Sequence, residues 1–330
     1  VLKKIVWLLL FAALPAFAAE ADPALAALAA DSNQTQSLLN AGRVDEAIAL
    51  LKQQIATNKS NADAQNLLAR AYYAEELTDQ AIPPGERAVE IAPNSSLFHL
   101  WLGRIYGAKA EKANPFRAMG FARKVRDQFE SAVQLDPNNL EARTDLAEFY
   151  LEAPGMVGGG KDKAAAQAEA LTTKAPHIAH WIRARLAEKD KNYTEAEKEY
   201  KAAIESTKTN AEQWLNLAGF YQQRGRIPEM QHALDKAVTA PRKSSAVLYD
   251  AAHLLFHANQ KLPLAAELDN KYLNSKDKVE EAPAFKAYVL LGQILEKQGD
   301  KAGAAKQYQA ALSLAKDYAP AKDALSKLQK

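Results

Sequence analysis

Trp214-x-x-Leu217-Ala218-x-x-Tyr221, followed by Met230, Leu234 and Ala237, is the stretch that decides the fold. Its bulky residues fall at i, i+3 and i+7, which places them on one face of a helix. The small residue beside Leu217 lets a second helix approach closely. Two further copies stand 34 residues apart: Gln65-x-x-Leu68-Ala69-x-x-Tyr72, with Ala81, Ala88 and Pro93 behind it, and His99-x-x-Leu102-Gly103-x-x-Tyr106. In regular copies the last bulky residue of the first helix and a small or flexible residue of the second lie nine apart. Leu38/Ala47, Tyr72/Ala81, Ala187/Ala196, Tyr221/Met230, Phe256/Ala265 and Leu295/Ala304 read this way. A single helix pair cannot bury its apolar face, so each pair must stack on the next. Gly42, Gly225 and Gly299 share one register between paired helices, where a left-handed residue ends the first helix at little cost. Pro93, Pro137, Pro176 and Pro241 close units, because proline cannot continue a helix interior.

The pattern resembles the tetratricopeptide repeat, whose signature is W-x2-L-G-x2-Y…A-x3-F…P. The resemblance runs from about Leu28 to Lys316. It implies an all-α, right-handed superhelical solenoid of about eight helix–turn–helix repeats. A lysine-rich capping helix would follow over Lys316–Lys330. In the family the first helices line a concave groove that holds a peptide. By register, that groove would present Asn66, Arg70 and Tyr73; then Leu97, Leu100 and Arg104; then Thr144 and Glu148; and then Trp181 and Arg185. Arginine thus recurs at one groove position in three units. The lysine–asparagine clamp with which some members hold a terminal carboxylate is not reproduced. Exposed ion pairs contribute about 0.2–1 kcal/mol each, whereas micromolar affinity needs about 8 kcal/mol. A partner must therefore also bury apolar groups, with Tyr73, Leu100 and Trp181 as candidates.

Three units depart from the pattern. Between Tyr106 and Val125 about ten residues are added, in an insertion near 107–124. Asn114-Pro115 is a helix start, with asparagine as cap and proline in the first turn. A long second helix is expected over Pro115–Leu135. This unit carries Arg104, Lys109, Lys112, Arg117, Arg123, Lys124 and Arg126 against Glu111 and Asp127, interleaved with Phe116, Met119 and Phe121. Arg117, Arg123 and Lys124 are therefore candidate secondary contacts for an acidic segment or polymer. The second insertion, near 152–162, contains Gly158, Gly159 and Gly160, which are also candidate contacts. Its Gly155-to-Asp162 run nearly matches a phosphate-binding loop. It has aspartate where the magnesium-binding hydroxyl belongs, and it follows a helix rather than a strand. Finally, the polar stretch 274–284 reads as a joint between the last two units.

Residues 1–18 read as a signal peptide. Lys3 and Lys4 precede the uncharged run Ile5–Leu14, and Ala16-Phe17-Ala18 offers a cleavage site. The run is shorter than the ~20 residues of a spanning helix. Residues 19–330 would then form one solenoid in the bacterial periplasm, with no transmembrane segment. There are 42 basic and 40 acidic residues and no cysteine. The balance gives no global field for nucleic acid, and the lack of cysteine excludes disulfides and thiol catalysis.

Candidate chemistry is sparse. Asp250, His253 and His257 fall at i, i+3 and i+7, and two histidines with a carboxylate can ligate zinc. In the nine-residue register, however, His253 takes the small-residue position and is expected to pack against the second helix. His177 and His180 read as structural. No catalytic residue, cofactor or metal site is assigned. The expectation is a non-catalytic scaffold that binds a protein or peptide in its groove. A structural subunit of an envelope assembly, secretion or polysaccharide-export complex is the alternative. A metal- or nucleotide-dependent enzyme is the remote one.

Overall fold

The structure, a computed structural model, describes residues 23–328, and the signal-peptide reading of residues 1–18 lies outside them. Among the described residues there are seventeen α-helices and no strand. Sixteen form eight antiparallel pairs: α1 (Pro23–Asn40) with α2 (Val44–Thr57), α3 (Ala62–Ala74) with α4 (Thr78–Ile91), α5 (Ser96–Lys112) with α6 (Pro115–Leu135), and α7 (Leu140–Glu152) with α8 (Lys161–Leu171). They continue as α9 (Pro176–Lys189) with α10 (Tyr193–Glu205), α11 (Ala211–Gln223) with α12 (Ile227–Thr239), α13 (Ala246–His257) with α14 (Leu262–Leu273), and α15 (Ala284–Lys297) with α16 (Lys301–Leu314). The capping helix is α17 (Ala319–Leu328).

Local sequence sets these boundaries. Asn61, Asn114, Asn139, Asn192 and Asp300 each accept an otherwise orphaned backbone N–H in the first turn of the helix that follows. Asn114 does so with Pro115 behind it, so the inserted α6 begins where the Asn-Pro pair requires. The inter-helix turns repeat one geometry. Gly42, Glu76, Lys191, Gly225, Asn259 and Gly299 all have positive φ, each in the turn of its own repeat.

That geometry corrects one register. The Arg226 N–H bonds the Tyr221 carbonyl, and the Gln260 N–H bonds the Leu255 carbonyl in the same way. Leu255, not Phe256, is therefore the counterpart of Tyr221. The repeat absorbs one extra residue before Ala265, and Lys261 takes a left-handed φ of 42° there. Ala252, fully buried, is the small residue of this unit. His253 is exposed rather than packed against the second helix.

Close approach of the paired helices is built on small residues. A Cβ on Gly103 would stand 2.4 Å from the Phe129 ring, and one on Gly292 would stand 2.4 Å from the Tyr308 ring. The tyrosine of the motif then ties repeats together. Tyr150 donates to Glu130 at 2.8 Å and Tyr221 to Glu197 at 2.9 Å, each glutamate lying on the second helix of the preceding repeat.

The two ends of the solenoid meet. One hydrophobic cluster contains Leu39, Val44 and Leu51 from the first repeat together with Phe285, Tyr308 and Tyr318 from the last. A Cβ on Gly42 would lie 2.5 Å from the Ala284 nitrogen, so the first turn sits directly on the start of α15. Lys316 pairs with Asp45 at 2.8 Å, and the Asp317 N–H donates to Glu75 at 3.2 Å. The segment expected to be a joint, 274–284, is pinned into this seam. Glu280 accepts from Arg70 Nε and from Gln36 Nε2, both at 3.0 Å. The Tyr272 hydroxyl also donates to the Ala282 carbonyl, and Ser245 donates to Asp277 at 2.6 Å.

Candidate functional site

The groove residues read from the sequence fall into three groups. Asn66 and Leu100 are buried, at 2% and 1% exposure, and present nothing to a ligand. Leu100 belongs to the core of the third and fourth repeats. The three arginines line the concave side but are already engaged. Arg70 holds Glu280 and Gln36. Arg104 donates to Asp145 at 2.6 Å and Glu141 at 3.1 Å. Arg185 reaches Glu152 at 2.9 Å and Glu148 at 3.6 Å. Trp101, 5% exposed, separates the first two, with guanidinium carbons 4.6 and 4.8 Å from its ring centroid. Arg185 similarly covers Trp181 at 5.5 Å. Arg104 and Arg185 thus form a ladder that ties consecutive repeats across the concave face, while Arg70 joins the second repeat to the first through Gln36 and to the 274–284 segment through Glu280. Thr144 donates back to the Leu140 carbonyl at 2.8 Å. Tyr73 and Leu97 remain accessible, Leu97 at 44%.

Closure of the ends turns part of the groove into a cavity of about 640 Å³. Tyr73, Trp101 and Arg104 form one wall. Glu212 and Lys243 come from the sixth repeat and the loop after it, Val279, Glu280, Glu281 and Lys286 also line the cavity, and Glu141 lies beside Arg104. Tyr73 and Trp101 meet edge to face, with centroids 5.9 Å apart. Among the described residues Lys243 and Lys286 have no ion-pair partner, unlike the arginines. Burial lowers the Lys286 pKa, so an anion beside it would restore what desolvation removes. Sequence register missed both lysines, because one lies in a loop and the other in the first turn of its helix.

The secondary contacts divide as well. The long α5–α6 hairpin leans on the second repeat, where Lys109 pairs with Asp79 at 2.5 Å, Lys112 with Glu76 at 3.4 Å and Lys124 with Glu86 at 3.5 Å. Arg126 is satisfied by Asp127 at 2.6 Å. The basic excess seen in the sequence is therefore largely neutralised by neighbours. Arg117 and Arg123 are exposed and make no ion pair among the described residues. Phe116, at 86% exposure, stands at the hairpin tip. In the glycine loop the amides are used internally. Gly158 donates to the Gly155 carbonyl, Gly159 to Pro154 and Gly160 to Tyr150. A Cβ on Gly159 would lie 1.8 Å from the Ala153 oxygen. Glycine is required there to fold the loop on itself, and those three amides do not form a phosphate cradle.

Family profiles of the tetratricopeptide repeat match residues 33–96 and 156–211, and a further one matches 285–318. These three segments are tetratricopeptide repeats. Among solved structures the chain is similar to yeast Tom70, at 15% identity and a TM-score of 0.51, over 87% of this chain and 58% of that one. A thermophilic repeat protein of Thermus thermophilus matches at 20% identity and a TM-score of 0.46, over 69% of this chain and 99% of its own. A repeat protein of Parabacteroides merdae matches at 19% and 0.41, over 83% and 100%. No curated protein sequence matches. At these identities the likeness establishes the fold alone. Repeats of this family imply protein partners, and no described helix is long and apolar enough to cross a membrane.

Proposed function

We propose that the protein is a non-catalytic scaffold of the bacterial periplasm that holds a protein partner in the cavity on its concave side. One observation carries this reading. The arginines of the groove are consumed by inter-repeat ion pairs, yet Lys243 and Lys286 stand unpaired in the same cavity as Tyr73 and Trp101. Two cations beside an aromatic wall suit an extended segment that offers a carboxylate and an apolar side chain. The apolar contact is needed, since two ion pairs supply at most about 2 kcal/mol of the roughly 8 kcal/mol for micromolar binding.

Photo-crosslinking in intact cells tests the site. A crosslinker at Tyr73 samples the cavity, and one at Gln53, exposed on the second helix of the first repeat, samples the outer side. Capture of one dominant protein from Tyr73 alone is expected. Capture from Gln53 alone would overturn the cavity reading and favour a structural subunit that works through its convex face.

A further inference from the structure

His253 and His257 lie one helical turn apart on α13, and both are exposed. Their Nε2 atoms converge to 3.0 Å, with ring centroids 4.2 Å apart. By the turn register above, His253 occupies the concave row that Arg70, Arg104 and Arg185 fill in other repeats. Those side chains have acidic partners, whereas the histidines face each other.

We propose that His253 and His257 form a bidentate site for a divalent transition-metal ion that prefers right-angled coordination, Cu2+ foremost and Ni2+ after it. The bite distance carries the argument. With metal–nitrogen bonds of about 2.0–2.1 Å, nitrogens 3.0 Å apart subtend about 91–97° at the ion. A tetrahedral ion at the same bond length needs nitrogens about 3.35 Å apart. The geometry therefore suits the square-planar or tetragonal preference of Cu2+ and Ni2+ better than Zn2+, and Cu2+ leads the affinity order for nitrogen ligands. Imidazole binds metal only when neutral. Among the described residues no third histidine or carboxylate joins the pair, so Asp250 is not a ligand as the i, i+3, i+7 spacing first suggested. Two protein nitrogens leave the remaining positions of the ion open to water or to a donor group of a molecule held on the concave face.

The other histidines serve as internal controls. His99 is held by Gln128 at 2.7 Å and by the Pro93 carbonyl at 2.9 Å, and His180 by Glu199 at 2.6 Å. The test is titration of the full chain with Cu2+, Ni2+ and Zn2+, followed by electron paramagnetic resonance of the copper form. One Cu2+ should bind per chain, with superhyperfine splitting from two nitrogens. His253→Gln and His257→Gln should each weaken it at least tenfold with an unchanged circular dichroism spectrum, and His180→Gln should not. Zn2+ should bind at least tenfold more weakly than Cu2+. Copper affinity that survives both substitutions, or no copper uptake at all, would overturn the site and leave the pair as an N–H···N hydrogen bond. Zinc binding as tight as copper would overturn the right-angled geometry.

Discussion

Glu280→Ala probes the seam that closes the solenoid. Glu280 accepts from Arg70 Nε and Gln36 Nε2 at 3.0 Å and pairs with Arg70 Nη2 as well. The side chains of Arg70 and Glu280 are 11% and 5% exposed. Removing the carboxylate strands a buried guanidinium whose remaining partners are Gln36 Oε1 at 2.9 Å and the Trp101 face. Breaking a buried pair from one side costs about 3–5 kcal/mol. The lower end applies here, because those two contacts persist, and about 3 kcal/mol corresponds to a roughly hundredfold change in an equilibrium constant. A long repeat array unfolds in pieces, so local amide hydrogen exchange is the suitable assay. Exchange in α3, in 276–283 and at the start of α15 should accelerate about a hundredfold, while α9–α12 stays protected. The exposed pair Arg43–Glu46 supplies a control, because Glu46→Ala should change exchange less than about fivefold. Equal, small effects from the two substitutions would refute the view that Glu280 locks the ends together.

Three further outcomes follow from the packing. Glu75 is buried with Oε2 unpartnered, and burial, with Asp45 nearby, pushes its carboxyl up to about 7 despite the Asp317 N–H. The folded state thus holds this proton more tightly than the unfolded chain, so the stabilisation is complete below about pH 4.5 and is lost as pH rises through about 7. Glu75→Gln should raise the melting temperature at pH 8 and leave it unchanged near pH 4; an equal shift at both would sink this assignment. Gly103→Ala should cost about 1–3 kcal/mol by overpacking Phe129, whereas Gly219→Ala, with open space at its Cβ, should gain up to about 1 kcal/mol from helix propensity. Denaturant melts that rank the two alike would contradict the packing. Lys286→Met should lower partner capture from Tyr73 by up to about fivefold while preserving the fold, and capture at wild-type yield would remove this lysine from the site.

Most of the architecture was legible because it is local. Apolar spacing fixes helix faces, Asn114-Pro115 fixes the start of α6, and glycines mark the turns. What escaped was one-residue register and everything distant in the chain. His253 was placed inward because Phe256 and Ala265 keep the nine-residue spacing, and no periodicity shows that the turn had taken up an extra residue at Lys261. The arginine row was legible as a row but not as a ladder, since its acidic partners Asp145, Glu141 and Glu152 lie on neighbouring repeats among many other carboxylates. The seam was invisible altogether. Arg70 and Glu280 are 210 residues apart, and Lys316 and Asp45 are 271 apart. Nothing in local patterning selects Glu280 over Glu281. The same distance hid the cavity lysines, whose significance depends on which loop crosses the groove.

Closure of the superhelix underlies both the cavity and the proposed partner site, and a zero-length crosslink tests it most directly. Carbodiimide joins a lysine to a carboxylate only when the two are in contact, and Lys316 Nζ lies 2.8 Å from Asp45 Oδ1. In dilute full-length protein, mass spectrometry should find the amide between these two residues within a single chain, at a yield independent of protein concentration. Its absence, or its appearance only in concentrated samples as a link between two chains, would contradict the closed solenoid.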